Sequence, residues 1–101
     1  MSLSVAEQIH RRTPAAARLS LRLSCWDDAI RTVPLLVVHR GETLEEIRFR
    51  DQVIGFIRRD EHLFRAFSGE RLEQASERGH SLLWDKAAAL LVDACGLLRA
   101  P

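Results

Sequence analysis

The chain has 101 residues, 47% of them apolar and 29% charged, which fits one folded domain spanning 1–101 and leaves no room for a second. Fifteen basic residues stand against fourteen acidic ones, a formal charge of +1, so no global field draws the protein onto nucleic acid or an anionic membrane, and any such binding has to come from a local patch. Lys86 is the single lysine and tyrosine is absent, a bias that reflects a GC-rich coding genome better than selection for guanidinium chemistry.

Ser4 and Glu7 have the spacing of a capping box, Val5, Ala6 and Ile9 share one helical side, and Thr13-Pro14 stops the segment. A short N-terminal helix is predicted there, with Arg11 and Arg12 in its last turn, where cations are favoured. The same stretch lacks a basic region followed by an apolar core and does not read as a secretory signal.

Leu19, Leu21 and Leu23 alternate with polar residues, which predicts a strand over Arg18–Ser24. Residues 25–32, CWDDAIRT, with Ser24 as N-cap and acids in the first turn, predict one or two helical turns ending before Val33-Pro34. Leu35–His39 is a continuous apolar run, the pattern of a central strand covered on both faces.

A turn at Gly41-Glu42-Thr43 leads into Glu46, Arg48 and Arg50 alternating with Ile47 and Phe49, a strand with one wet face. Asp51-Gln52 turns the chain into a strand over Val53–Arg58, where Gly55 marks a bulge or a close approach, with Phe49 or Phe67 as candidates to fill the space. After a turn at 59–62, Leu63–Phe67 reads as the next strand, although Asp60 as N-cap gives a short helix as the competing assignment.

Ser68-Gly69 breaks the pattern. Glu70–Arg78 is a polar, helix-favouring run with Gly79 placed to end it, and a long helix follows over Leu82–Leu98. In that helix Leu83, Ala87, Leu90, Leu91, Ala94 and Leu98 form the buried side and Asp85, Lys86 and Asp93 the wet one. The order predicts an α+β fold: an antiparallel sheet of about four strands, covered on one face by the long C-terminal helix and the short N-terminal one.

Chemistry is sparse. No two of His10, Cys25, His39, His62, His80 and Cys95 have the close spacing of a local metal site, and no glycine-rich phosphate loop occurs, so no metal or other cofactor is expected. Cys25 and Cys95, each in an apolar setting, are read as buried reduced thiols rather than a disulfide. Cys25 lies beside Asp27 and Asp28, whose charge opposes thiolate formation, so a small enzyme using Cys25 or a histidine such as His39 is the weakest of three readings.

The strands carry the remaining candidates. Arg48, Arg50, Arg58 and Arg65 gather near one sheet surface, with Glu46, Asp51, Asp60 and Glu61 interleaved to neutralise them. Either Val53 and Ile57 or Ile54 and Phe56 point away from the helices, and exposed apolar strand residues mark an interface. The resulting expectation is a non-enzymatic interaction or regulatory module, homodimeric or bound to a protein partner, with Arg48, Arg50, Ile54, Phe56, Arg58 and Arg65 as its contact surface. Nucleic-acid binding by the arginines is the alternative. A bacterial-type cytoplasmic setting, without membrane or small-molecule ligand, completes the expectation.

Overall fold

The computed structural model describes residues 16–24 and 30–96, and of residues 23, 24 and 30 the backbone alone. The predicted N-terminal helix, Cys25 with its neighbouring acids, and Leu98 lie outside the described residues. Six strands form one antiparallel meander in sequence order: β1 (Ala16–Ser24), β2 (Ile30–His39), β3 (Leu44–Phe49), β4 (Gln52–Asp60), β5 (Leu63–Ser68) and β6 (Ser76–Ser81). One helix, α1 (Trp84–Ala94), follows. The fold is thus α+β as expected, with six strands among the described residues in place of about four.

Two segments expected to be helical are strand instead, each for an identifiable cause. Ile30–Thr32, expected in a helical turn, extend β2 through Pro34, because β1 offers a nine-residue ladder from Ala16↔Val38 to Ser24↔Ile30. Pro34 is accommodated since β3 pairs only with the last four residues of β2, so the missing N–H interrupts no ladder on that side. β2 is consequently second in the sheet, not central.

The Glu70–Arg78 run contains only a 3-10 turn at Leu72–Gln74, and its remainder becomes the edge strand β6. Pairing with β5 outweighs the helix propensity of a segment that has only Leu72 and Ala75 to anchor it. Gly79, expected to end a helix, sits in β6 at φ +135° beside a register irregularity, with Leu90 Cδ1 3.1 Å from where a Cβ would stand. Leu63–Phe67 is strand, as preferred.

Two hairpins turn on non-glycine residues. Phe49 pairs with Gln52, leaving Arg50 (φ 51°) and Asp51 (φ 64°) as a two-residue loop with both residues left-handed, the type I′ pattern that matches strand twist. Asp60 pairs with Leu63 around Glu61 (φ 55°) and His62.

Helix α1 lies over β4, β5 and β6 and also touches β1 at the far edge. Five inter-strand spacings make a flat six-stranded sheet about 24 Å wide, twice the diameter of a helix at about 10–12 Å. The sheet therefore coils around α1. Leu21, Val33, Leu35, Val37, Ile47, Ile57 and Ala66 of the sheet close on Ala87, Ala88, Leu91 and Val92 of the helix, all buried.

Gly55 is where this packing is tightest. A Cβ there would lie 2.4 Å from the Phe67 carbonyl oxygen and 2.7 Å from Leu91 Cδ2. The space is filled by Leu91, not by the Phe49 or Phe67 ring. A bulge in β4 accompanies it, since Ile47 faces Gly55 while Arg48 faces Val53.

The helix is shorter than predicted. Trp84 opens it, pinned by its Nε1–H, which donates to Glu45 Oε1 at 2.6 Å across to β3. Ser81 remains in β6, where its hydroxyl accepts from the Leu83 N–H. Leu83, expected in the core, is 56% exposed beside Leu82 at 67%, and Ala94 is exposed as well. Asp85, Lys86 and Asp93 are on the wet side as expected.

Candidate functional site: the arginine-bearing face and its cleft

Strand register sorts the six expected contact residues. Arg48, Phe56, Arg58 and Arg65 all project from the sheet face opposite α1, because Val38, Glu46, Phe56 and Phe67 form one cross-strand row and Leu44, Arg58 and Arg65 the next. Arg50 stands in the β3–β4 turn. Ile54, the extra residue of the bulge, is half-buried against the helix-side core.

That face is largely closed on itself. Glu46 is 6% exposed and is held from both sides: Arg40 donates to Oε1 from Nε at 3.1 Å and from NH2 at 2.8 Å, while Arg48 Nε donates to Oε2. Burial raises the Glu46 pKa, but the two guanidinium partners outweigh it and hold the carboxyl below its ordinary value. One strand pair further on, Asp60 accepts from Arg65 Nε at 2.6 Å and from Arg58 NH2 at 3.1 Å, and Arg65 reaches Glu77 at 3.2 Å. The Arg58 and Arg65 hydrogen bonds likewise lower the Asp60 pKa.

The expected neutralisation occurs through Glu46 and Asp60, with Glu77 as a partner the sequence pattern did not single out. Asp51 and Glu61 make no ion pair among the described residues. Neither apolar pair of β4 is presented to solvent: Ile57 is fully buried toward α1, and Phe56, at 5% exposure, is buried within its own face. Arg58 stacks over the Phe67 ring at 5.2 Å, capping the row beside it.

A cleft of about 650 Å³ opens where β2 runs on past the end of β3. Arg18 of β1 forms one bank, Arg48 and Arg50 the other, with Leu35 and Leu36 between and Asp51 as the only acid lining it among the described residues. Arg18 and Arg50 have no ion pair among the described residues. Arg50 instead lies over the Phe49 ring at 4.9 Å, and a smaller cavity of about 270 Å³, lined by Thr32, Pro34 and Phe49, also reaches it.

Other candidate chemistry is thinly supported. His39 is half-exposed at the end of β2, its Nδ1 3.3 Å from Glu45 Oε2, and no nucleophile among the described residues is hydrogen-bonded to it. Cys95, expected to be buried, is exposed, its thiol donating to the Val92 carbonyl at 3.2 Å. No group of three or more His, Cys, Asp or Glu that could hold a metal ion occurs among the described residues. No described helix is long and apolar enough to cross a membrane.

A second surface was not legible in the sequence. Between β6 and α1 an apolar groove of about 490 Å³ is lined by His80, Ser81, Lys86, Ala89, Leu90 and Asp93. The residues read as the wet side of the helix frame it, and its floor appears only once β6 forms as a strand. Comparison of the chain with protein-family models, with curated proteins and with solved structures gives no match.

Proposed function

We propose that the protein is a non-enzymatic interaction module that acts as a homodimer, joined through α1 and the β6 edge. The observation that carries this reading is the self-complementarity of the groove. Lys86 and Asp93 are seven residues apart, two helical turns and about 10.5 Å along the axis, and so stand on the same side of α1. Neither has an ion pair among the described residues.

A second copy packed antiparallel across a two-fold axis, with Ala89 and Leu90 at the centre, sets Lys86 of each chain opposite Asp93 of the other. Ala89 is small enough for helix axes to approach to about 8–10 Å. An isologous contact of this kind repeats every favourable pair twice. Leu82 and Leu83, exposed one turn before Lys86, extend the apolar strip.

The open sheet face has less to offer as the dimer contact. Phe56 is buried there, and Arg48, Arg58 and Arg65 are already paired with Glu46, Asp60 and Glu77. The same pairing supports a protein partner over a nucleic-acid backbone for that face.

Sedimentation equilibrium on charge-swapped variants tests the dimer. Lys86→Asp or Asp93→Lys alone turns two attractive pairs into repulsive ones and is expected to weaken association about tenfold, from roughly 1.4 kcal/mol over both pairs. The double swap restores it. Each swap places an acid nearer the helix N-terminus or a base nearer its C-terminus, which favours the helix, so lost association does not follow from unfolding. A chain that is monomeric throughout, or a double swap without recovery, refutes the reading.

A further inference from the structure

We infer that the cleft between β2 and the β3–β4 turn binds an acidic peptide in extended conformation, added as a short strand beside the N-terminal half of β2. This goes beyond the dimer and involves a different surface.

The backbone supplies the first half of the site. β2 pairs with β3 only over Leu36–His39, while β1 continues along β2 to Ile30, so residues 30–34 have a strand on one side alone among the described residues. Pro34, opposite Ser20, has no N–H to give to β1, which places it at a pair whose hydrogen-bonding groups face away from β1. By alternation Thr32 then presents its N–H and C=O to the open side, and Pro34 its C=O. An extended segment laid there meets main-chain partners, the general mode of strand addition to an open edge. The absent Pro34 N–H limits pairing to a short segment and blunts the edge against indiscriminate association.

The side chains supply the second half. On the open face Arg18, Leu36 and Arg48 form one cross-strand row, with Arg50 beyond it at the turn. Arg22 continues the β1 bank one pair past Ser20. A strand in the gap continues the line of β3, with Arg50 beside its end and Arg18 and Arg22 one strand away across β2, so carboxylates on its open face lie within the span of these long side chains. Arg48 is engaged by Glu46, but Arg18 and Arg50 against Asp51 still give the cleft a positive balance that carboxylates complement, and guanidinium binds carboxylate in a bidentate fork.

The lining favours peptide over nucleic acid. No aromatic ring lines the cleft among the described residues, so it lacks the stacking platforms on which single-stranded bases are held. Arg50 meanwhile occupies a left-handed conformation costly for a residue with a Cβ, and this places it at the junction of the two cavities.

The test is fluorescence anisotropy with a labelled ten-residue peptide of alternating valine and glutamate at low salt. Three probes serve as comparisons: its alternating valine-lysine counterpart, the same acidic peptide N-methylated at alternate residues, and a ten-nucleotide oligothymidylate. The acidic peptide is expected to bind, and N-methylation or the Arg18→Glu/Arg50→Glu double variant to weaken it at least tenfold. Lys86→Asp, which alters the dimer groove, is expected to leave it unchanged, which separates this inference from the proposed dimer. No acidic-peptide binding, equal binding of the N-methylated form, or tighter binding of the lysine peptide or the oligonucleotide overturns it.

Discussion

Replacing Gly55 by alanine probes the point where sheet and helix approach most closely. The added methyl would sit 2.4 Å from the Phe67 carbonyl oxygen and 2.7 and 3.0 Å from the two Leu91 methyl carbons. The leucine can change rotamer, but the carbonyl belongs to the β4–β5 ladder and moves only with the strand. Overpacking in a close-packed core costs about 1–3 kcal/mol, and clash with a fixed backbone atom places this site at the upper end, about 3 kcal/mol. Leu91→Ala, at a fully buried position, is expected to cost about 3 kcal/mol through lost contacts and the cavity left behind. The two are not independent, because removing Leu91 relieves part of what the new methyl strikes. The double variant is expected to be less destabilised than the sum by about 1 kcal/mol, within the usual range for residues in contact, with a residue of cost left by the carbonyl. Urea unfolding followed by far-ultraviolet circular dichroism measures all four stabilities of the cycle. A Gly55→Ala protein within about 0.5 kcal/mol of wild type, the scatter of ordinary surface substitutions, or strict additivity, would refute the packing argument.

Two further perturbations follow from the open face and its turn. The Glu46 carboxyl is held below its ordinary value in the folded state, so the clamp contributes stability that is present above the unfolded pKa near 4.5 and is lost as pH falls through the lower folded value. Glu46→Gln is expected to be less stable at neutral pH and to flatten the acid limb of a stability-against-pH curve, and an unchanged limb would count against the clamp. In the β3–β4 turn, Arg50→Asn with Asp51→Gly supplies residues suited to left-handed backbone and is expected to gain up to about 1 kcal/mol in thermal or urea unfolding. Arg50→Asn alone, which removes a guanidinium and leaves Asp51 in place, is expected to weaken the acidic peptide in anisotropy, and undiminished binding would remove Arg50 from the site.

Much of the fold was local enough to read from sequence. The period-two alternation at Leu19–Leu23 and at Glu46–Phe49, the Ser68-Gly69 break, and the buried stripe at Ala87 and Leu91 each specify their own element, since a side-chain period is set within a few residues. The pairing of arginines with interleaved acids was also foreseeable, because cross-strand neighbours follow from alternation once strands are adjacent.

Tertiary structure decided the rest. Residues 30–32 and 76–81 are strands because β1 and β5 present ladders to them, a long-range gain that no local propensity records. The helix begins only at Trp84, with Leu83 in extended backbone at its N-cap, so Leu83 is exposed although its spacing matches the buried stripe. The cleft and the groove arise where elements of unequal length meet: β2 outrunning β3, and α1 lying beside the edge strand β6. Sequence determined which residues carry charge and which alternate. Register and strand length, set by non-local hydrogen bonding and packing, determined which of those charges neutralise one another and which remain available to a partner.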